Sequence, residues 1–410
     1  MTASQQLFRR QFGFPPTYTV QAPGVVELLG GHADLNHSLT LTMAVDRTVS
    51  IAIAARTDGK VEIISPDQNA PEIFSVLDSN TASGSVVTRA IKAMLNALRQ
   101  RQAHSSGFSA AVHSTIPPGS GLGSSHALLI ATALAVRQLH PYTLTVTGVT
   151  APPKRAAHDA ALPPLSAVEK FEIARTCLLA RNAAAPGHSS LAAPITSLFG
   201  KAFHAVEFDA QSHAVELVPL HGEVAWVLCD TGVRHAGIEK AVAGLRAEFE
   251  SATRVLGLKS LRSADAALLK SRQHHLTERQ FQCASHIVAE TRRVIAATRA
   301  LHAGDFAQLG QFMLQSHESS RELLRNGCPE LDELIALARI HPGCLGARVT
   351  GRGFGGATLN LVHRAQAESF AKAIATVYEK RTSQKVSPHL CKPADGAQSA
   401  TSGKAGGLRM

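Results

Sequence analysis

The stretch Thr115-Ile116-Pro117-Pro118-Gly119-Ser120-Gly121-Leu122-Gly123-Ser124-Ser125-His126 decides the fold. Its alternating glycines let the backbone bend tightly and approach a ligand closely. The apolar run that follows, residues 127–136, has the length of a helix. Unpaired N–H groups and the positive end of a helix dipole attract anions, so the stretch predicts a phosphate-binding loop. An ordinary glycine-rich turn before a helix is the alternative.

Composition predicts a globular protein of two domains. The 410 residues exceed the usual size of one compact core, and 45% hydrophobic with 18% charged residues is typical of folded chains. The net charge of +10 suits anionic ligands, but scattered Lys and Arg and 5% aromatic residues argue against nucleic-acid binding. The six cysteines form no C-x-x-C pair, and no apolar run reaches membrane-spanning length. We therefore expect a cytoplasmic protein with reduced thiols and no membrane partner.

A second polar loop lies near the N-terminus. Residues 22–36 read APGVVELLGGHADLN and place Gly30, Gly31, His32, Asp34 and Asn36 directly after an apolar strand. Small and polar side chains at the end of a strand can hydrogen-bond a polyhydroxyl ligand. A plain turn is the alternative.

Periodicity predicts strands over residues 39–45, 48–55 and 60–65, and the Asp58-Gly59 turn predicts a hairpin between the last two. Helical spacing follows over 85–99, and a proline-rich insertion is expected at about 140–165. Two familiar nucleotide folds are excluded by context. No G-K-[ST] follows the first glycine loop, and the letters Gly351-x-Gly353-x-x-Gly356 precede a strand pattern rather than a helix.

Together these loops resemble the motifs of the GHMP kinases, the superfamily of galactokinase, homoserine kinase, mevalonate kinase and phosphomevalonate kinase. Residues 117–125 are similar to the second motif, and 349–357 to the third. Residues 22–36 resemble the galactokinase signature A-P-G-R-V-N-L-I-G-E-H-T-D-Y-N. Residues 328–334 and 391–397 also resemble galactokinase stretches, so the similarity runs from about residue 8 to 397.

The resemblance implies an α/β (α+β) protein with the two-domain GHMP kinase fold. We expect residues 1–200 to form an N-terminal domain of mixed sheet and helices, and 201–398 a C-terminal ferredoxin-like α+β domain, followed by a flexible tail at 399–410. The implied cofactors are ATP and Mg²⁺, and the implied partner is a small-molecule sugar, galactose or a related compound. We expect a monomer or a weak oligomer.

Carried over position by position, the resemblance assigns two sets of binding residues. The ATP phosphates are expected over Pro117, Gly119, Ser120, Gly121, Leu122, Gly123, Ser124 and Ser125, with Ser125 also a metal ligand. The sugar is expected beside Gly31, His32, Asp34, Gly353 and Gly355.

The groups that the resemblance expects to carry out the chemistry are replaced. Counted without a gap from Ser197, Gly200 and Lys201, the catalytic aspartate falls on Ala193 and the magnesium-binding glutamate on Arg181. The catalytic arginine falls on Val25, the sugar-binding glutamate on Gly31 and a tyrosine near the sugar on Val242. Gly31 and Val242 predict a larger and less polar sugar pocket.

Two residues are candidate substitutes. Arg181 can place a permanent positive charge where Mg²⁺ and its carboxylate ligand are expected, and His188 lies close in sequence to the missing base. A surface helix arginine and an exposed loop histidine are the alternatives. Two functions stay open: an ATP-dependent sugar kinase with altered catalytic residues, and an inactive galactokinase relative that acts as a ligand sensor or regulator.

Overall fold

The protein is described by a computed structural model over residues 1–150, 162–184, 190–234 and 237–401. Its strands are β1 (Tyr18–Leu29), β2 (Leu39–Ala55), β3 (Lys60–Ile64), β4 (Glu72–Ser75), β5 (Phe108–Ser114), β6 (Thr143–Thr145), β7 (Gly148–Thr150), β8 (His204–Asp209), β9 (Val215–Pro219), β10 (Val224–Arg234), β11 (Cys344–Thr350), β12 (Gly355–His363), β13 (Pro388–Cys391) and β14 (Gln398–Thr401). Its α-helices are α1 (Ala3–Phe12), α2 (Val86–Gln100), α3 (Ser124–Leu139), α4 (Ala167–Ala184), α5 (Ala192–Phe199), α6 (Ile238–Val255), α7 (Ala266–Ser271), α8 (Glu278–His302), α9 (Phe306–Ser319), α10 (Pro329–Ile340) and α11 (Ala367–Thr382).

The first sheet has the order β14-β1-β2-β5-β3-β4, and β8 and β9 extend it from β2. Helix α3 packs on β1 and β2, and α2, α4 and α5 surround it. The apolar residues of α3 are buried from Ala127 to Val136, as expected for a helix enclosed on several sides. Helix α1 lies against β2 and β5, where Leu7 and Phe8 join a small core with Ala111.

The second sheet has the order β11-β12-β10-β13, with antiparallel pairing throughout. Helices α10 and α11 pack on it around Phe370 and Tyr378. Helix α8 bridges the two halves, because it contacts α6 and α9 as well as β1 and β2. Helix α9 packs against β11 through the opposite face of the sheet, so antiparallel strands with packed helices form the α+β arrangement that the resemblance implies for the C-terminal half.

The predicted hairpin around Asp58-Gly59 is wrong. Strand β5 lies between β2 and β3, pairing antiparallel with β2 and parallel with β3. The turn residues still have a local function, since the Asp58 carboxylate accepts hydrogen bonds from the Arg56 side chain and the backbone N–H of Lys60. A turn motif fixes the chain reversal, but the long-range pairing of β5 decides which strands become neighbours.

Other expectations are modified at their edges. The strands predicted at 39–45 and 48–55 form one continuous strand, β2. Strands β8 and β9 belong to the first sheet, so the pairing crosses the expected domain boundary at residue 201. Residues 399–401, expected in the flexible tail, belong to β14, which pairs with β1 from Tyr18 to Gln21. Residues 402–410 of the expected tail lie outside the described residues. Within the expected insertion, β6 and β7 form a short hairpin, and residues 151–161 lie outside the described residues.

Helix α9 crosses strand β11 at a point where both backbones touch. A Cβ at Gly310 would lie 2.0 Å from the carbonyl oxygen of Leu345, and a Cβ at Gly346 would lie 2.3 Å from the Cα of Gly310. No side chain fits at either position, so the two glycines set the distance between helix and sheet.

We expect Gly310→Ala to lower the free energy of unfolding by about 2 kcal/mol or more, because the added methyl group forces the helix away from the strand. Denaturant titration measures the change. Gly244→Ala is the matched control: it lies in α6 with nothing within 4 Å of its Cβ position. Since alanine favours a helix over glycine, this control should gain up to about 1 kcal/mol. Equal stability of the two variants would contradict the tight crossing.

Candidate active site

A cavity of about 400 Å³ opens where the three glycine-bearing loops meet. Strand β1 and the N-terminus of α3 form one side of it, and α6 and the turn between β11 and β12 form the other. Its lining includes, besides loop glycines, Val25, Glu27, His32, Asp34, Leu35, Thr42, Ser124, Ser125, His126, Arg181, Ser190, Ala192, Ala193, Ile238, Glu239, Val242, Thr350 and Arg352. Loops that are far apart in the sequence therefore enclose one common space.

The predicted phosphate loop presents backbone N–H groups to this cavity. Helix α3 begins after Gly123, which has φ of 69° and makes no side-chain capping hydrogen bond. The first N–H groups of a helix lack partners within it, so those of α3 are available to an anion. Gly121 has φ of 78°, and a Cβ there would lie 3.1 Å from the carbonyl oxygen of Thr350. Glycine at 121 is thus required both for the turn and for the contact with the third loop.

The predicted phosphate-binding residues divide into two groups. Gly119, Gly121, Gly123, Ser124 and Ser125 line the cavity. Pro117, Ser120 and Leu122 are not among the residues that line it. Ser120 is buried and its Oγ donates to the Pro117 carbonyl at 2.8 Å, while the buried Leu122 accepts a 2.9 Å hydrogen bond from the Val25 N–H. These three residues shape the loop from behind.

The replaced positions converge on the same cavity. Val25 and Ala193 both line it, so two small apolar side chains lie where the resemblance places a catalytic arginine and aspartate. A Cβ at Gly123 would lie 3.9 Å from the Cβ of Ala193, which brings Ala193 directly beside the start of α3. His188 lies outside the described residues.

Two arginines face the phosphate loop. Arg181 and Arg352 share Glu239: Arg352 Nη1 lies 2.8 Å from Glu239 Oε2, and Arg181 Nη2 lies 3.5 Å from Glu239 Oε1. Burial and the neighbouring Arg352 lower the pKa of Arg181. The pair carries one more positive charge than its shared carboxylate, and the buried Arg181 Nε has no hydrogen-bond partner in the part of the chain that the structure describes. This surplus charge suits a phosphate group.

His126, in the first turn of α3, also lines the cavity. Burial, together with Arg181 and Arg352, lowers its pKa to about 4. The imidazole is therefore neutral at pH 7, and its buried Nε2 has no hydrogen-bond partner in the described residues. A neutral histidine beside two guanidinium groups can accept or donate one hydrogen bond to a ligand without adding charge.

Four of the predicted sugar residues, His32, Asp34, Gly353 and Gly355, line the cavity. His32 and Asp34 follow strand β1, at what we call the sugar end, and Gly353 and Gly355 follow Arg352 in the third loop. Gly31 is not among the lining residues, and its carbonyl lies 3.3 Å from His286 Nε2. Burial raises the pKa of Asp34, although hydrogen bonds from Ser190 and from the backbone N–H of Leu35 oppose that shift. Burial and the nearby His286 lower the pKa of His32 to about 4.

Glu27 fills the space that Gly31 was expected to leave open. Its Oε1 lies 2.9 Å from Nη2 of Arg348, a side chain only 1% exposed. A Cβ at Gly31 would lie 3.0 Å from Arg348 Nη2 and 3.1 Å from Glu27 Oε1. Burial raises the pKa of Glu27 to about 7, with Arg348 opposing the shift and Asp34 adding to it. The pocket is consequently more polar at this point than the sequence predicted.

A buried network on α8 supports the sugar end. Glu290 accepts hydrogen bonds from the Gly30 N–H at 2.8 Å and from Ser316 Oγ at 2.7 Å, and it pairs with Arg293 at 2.7 Å. Burial alone raises a carboxyl pKa, but Arg293 and Arg348 more than offset it, so the pKa of Glu290 falls well below its ordinary value. The loop at 30–32 is thereby fixed to the C-terminal half.

Sequence reasoning missed Glu27, His126, Glu239 and Arg352 as cavity residues. Three of them lay within quoted motifs: Glu27 stands where the galactokinase signature has asparagine, His126 directly follows the first glycine loop, and Arg352 lies in the third motif at 349–357. A charged residue where the motif has an uncharged one, as at Glu27, is the signal that identifies such positions. Glu239 carried no such signal, since only the packing of α6 against the loops brings it to the two arginines.

Family comparisons agree with this geometry. Residues 6–55 match the model for the galactokinase galactose-binding signature, 85–151 the GHMP kinases N terminal domain and 297–380 the GHMP kinases C terminal model. Galactokinase from Roseiflexus sp. (strain RS-1) is 31% identical over 397 residues, which cover 96% of this chain and 95% of the relative. Human galactokinase is 30% identical over 404 residues, 97% and 96% of the two chains.

Solved structures share the architecture. The crystal structure of Lactococcus lactis galactokinase complexed with galactose superposes with a TM-score of 0.85 at 23% identity, covering 96% of this chain and 98% of the other. Methanococcus jannaschii mevalonate kinase superposes with a TM-score of 0.62 at 16% identity, covering 92% and 98%. The two-domain fold predicted from the motifs is therefore confirmed, and it is the fold of the GHMP kinases. Within this class, the chain belongs to the galactokinase family.

Across the described ranges, no helix combines the length and the apolar character needed to cross a membrane.

We expect the free energy of unfolding to fall as the pH is lowered from 6.5 toward 4, because His126 binds a proton in the unfolded chain over this range but not in the fold. Its contribution is complete above pH 6.5. His32 and His286, with pKa values also lowered to about 4, act in the same direction. Glu27 acts oppositely: its pKa is raised to about 7, so its contribution is complete below the ordinary value of 4.5 and is lost as the pH rises through 7.

Denaturant titrations between pH 4.5 and 7.5 test this assignment. His126→Asn should make the slope shallower by up to about 1.4 kcal/mol per pH unit, since one proton is no longer taken up on unfolding. The exposed His104, replaced in the same way, is the matched control and should leave the slope unchanged. An unchanged slope in the His126 variant would mean that its imidazole is protonated in the fold.

Proposed function

We propose that the protein is an ATP-dependent sugar kinase that binds a nucleoside triphosphate and a sugar of the galactose class in the cavity and transfers the γ-phosphoryl group slowly. The observation that carries this proposal is the single cavity that joins the loop 119–125, Arg181 and Arg352 to His32, Asp34 and Glu27. Cationic groups and helix N–H groups at one end suit phosphates. Carboxylates and a neutral histidine at the other end suit sugar hydroxyls.

The family implies ATP and Mg²⁺ in general, and the residues here suit ATP better than the metal. Ser125 lines the cavity, as expected for a metal ligand, but Arg181 and Arg352 are the charged side chains toward this end, and their counter-ion is Glu239. Guanidinium groups repel a cation, so we propose that Arg181 and Arg352 neutralise the phosphate charge themselves.

In the proposed reaction the protein forms no bond to the transferred group and acts mainly by positioning and by charge. The sugar hydroxyl oxygen bonds to the γ-phosphorus, the bond from that phosphorus to the bridging oxygen breaks, ADP leaves and the hydroxyl proton is released to solvent. Phosphoryl transfer depends mainly on positioning and on charge stabilisation. Arg181 and Arg352 would provide the charge, and the loop N–H groups would hold the phosphates. Val25 and Ala193 provide neither charge nor a base, which is why slow turnover is expected.

A regulatory binding protein is the second candidate, and the apolar side chains of Val25 and Ala193 inside the cavity favour it. A general base accelerates a reaction by about a hundred- to ten-thousandfold, and an arginine on transferring phosphoryl groups by about a thousandfold or more. Selection for fast turnover would oppose the loss of both groups. Under this candidate, ATP and sugar bind as signals. The cytoplasmic location, the monomeric or weakly oligomeric state and the lack of nucleic-acid partners stay predictions under either function.

We expect wild-type protein, incubated with ATP and a sugar panel at near-stoichiometric enzyme, to form a sugar phosphate detectable by mass spectrometry. Restoring the family residues in Val25→Arg/Arg181→Glu/Ala193→Asp should raise the rate at least about a hundredfold in the presence of Mg²⁺, because a base and a metal ligand return together. The control variant carries Asn at position 193, which has the same size and no base.

The two candidates predict different results. Wild-type turnover of about one per second or faster would eliminate the regulatory function. Binding of ATP and sugar without any product, at enzyme concentrations equal to substrate, would eliminate the kinase.

The affinity for ATP should change less than about threefold between EDTA and excess Mg²⁺, because fixed guanidinium groups occupy the place of the metal. Calorimetric titration measures it. Arg181→Gln should weaken binding in EDTA by about tenfold, equivalent to one charge-assisted hydrogen bond. Arg175→Gln, on the same helix but outside the cavity, is the control. A requirement of the wild type for Mg²⁺ would overturn this part of the proposal.

A further inference from the structure

We propose that Glu27 is a sugar-binding residue whose carboxylate accepts hydrogen bonds from neighbouring hydroxyl groups of a hexose beside His32 and Asp34. This inference rests on the proposed function, since it assumes that the sugar occupies the same cavity. It goes further by naming the group that determines recognition. Galactokinase-type signatures have asparagine at this position, so the resemblance assigned Glu27 no role.

The backbone directs the Glu27 side chain into the cavity. In the register of β1 and β2, Glu27 lies opposite Thr42, and both residues line the cavity. Val25 precedes Glu27 by two residues and also lines it, as alternation along a strand requires. The Val25 N–H donates to the carbonyl of Leu122, so this part of β1 runs alongside the phosphate loop.

Thr350 links Glu27 to the phosphate loop from the other domain. The Glu27 N–H donates to Thr350 Oγ1 at 2.9 Å. The Thr350 carbonyl oxygen lies beside Gly121, 3.1 Å from where a Cβ of that residue would be. Toward the opposite end, Asp34 is near enough to act electrostatically on Glu27. The carboxylate therefore lies between the sugar residues and the phosphate loop, where an acceptor sugar has to bind for transfer.

The carboxylate is also available to a ligand. The Glu27 side chain is 20% exposed, although its partner Arg348 is 1% exposed. Glu27 Oε1 is a buried atom 2.9 Å from Arg348 Nη2, so the exposed part of the side chain can meet a ligand while Oε1 stays against the guanidinium group. A carboxylate held in place by one partner accepts further hydrogen bonds from ligand hydroxyls.

Gly31 shows why the carboxylate is at position 27. A side chain at Gly31 would enter the space between Arg348 Nη2 and Glu27 Oε1, which lie 3.0 and 3.1 Å from its Cβ position. The signature quoted above has asparagine at position 27 and glutamate at 31, whereas this chain has glutamate at 27 and glycine at 31. In this chain the carboxylate that meets Arg348 comes from position 27.

The positive charge of Arg348 is compensated by other groups besides the Glu27 carboxylate. Glu290 also interacts with Arg348, and Arg348 Nη1 lies 3.5 Å from the Glu27 carbonyl, a backbone contact that every substitution at 27 preserves. A Glu27→Gln variant is isosteric and leaves Arg348 with a counter-charge. Loss of sugar binding in this variant can therefore be separated from loss of the fold.

The test is calorimetric titration of the full chain, in the presence of ADP, with D-galactose, D-glucose and D-mannose. We expect the wild type to bind at least one of them, and Glu27→Gln and Glu27→Asn to bind that hexose about tenfold or more weakly. The double variant Glu27→Asn/Gly31→Glu, which moves the carboxylate back to position 31, should recover affinity to within about threefold of the wild type. Glu223→Gln, at a fully surface-exposed glutamate, is the control, and the thermal unfolding midpoint of each variant verifies folding.

Each outcome decides the proposal. Hexose affinity in Glu27→Gln equal to that of the wild type would overturn it, as would a wild type that binds none of the three hexoses. Failure of the double variant to recover, with its fold intact, would overturn the equivalence of positions 27 and 31. Hexose binding that depends on Glu27 in a protein without turnover would support this inference while eliminating the kinase function.

Discussion

The buried guanidinium group of Arg348 is the constraint on which the rest of the site depends. It lies on β11 in the C-terminal sheet, almost fully excluded from water, and its counter-charges come from Glu27 on β1 and Glu290 on α8. A buried charge is costly unless it is paired, so these elements have to meet. Because Glu290 also holds the Gly30 N–H, the same charge network fixes the sugar loop against the C-terminal half. The cavity lies beside this charge network, between the elements that it joins.

The phosphate end is organised by a different balance. Positive charge from Arg181 and Arg352, moderated by Glu239, faces the free N–H groups at the start of α3. Both features favour an anion, and neither favours a metal ion. Under the proposed function, Arg181 at the expected glutamate position changes the chemistry of the site and still attracts phosphate. Nucleotide binding and catalysis can be separated in such a site, which is why the losses at Val25 and Ala193 do not imply an empty cavity.

Much of the fold followed from local signals. The helix predicted over residues 85–99 and the strand predicted after the third glycine loop both appear, as α2 and β12, where periodicity indicated them. The predicted hairpin at Asp58-Gly59 was wrong because residues at a turn carry no information about β5. That strand comes from more than forty residues further along the chain and lies between β2 and β3. The pairing of β14 with β1 was not predicted, because a short strand near the chain end has little periodicity of its own.

By itself, the sequence determined the family, since its glycine-rich motifs leave a direct record in the letters. It also predicted the phosphate loop and the replacement of the family's catalytic groups at Val25, Arg181 and Ala193. Only the tertiary structure decided which charged groups surround these positions. Glu27 and Gly31 both lie close to Arg348 because a strand and the loop after it bring them there. Arg352 and Glu239 enter the phosphate end through the packing of α6 against the third loop. The sequence shows which residues are charged, but contacts between distant segments decide which charged residues pair with each other.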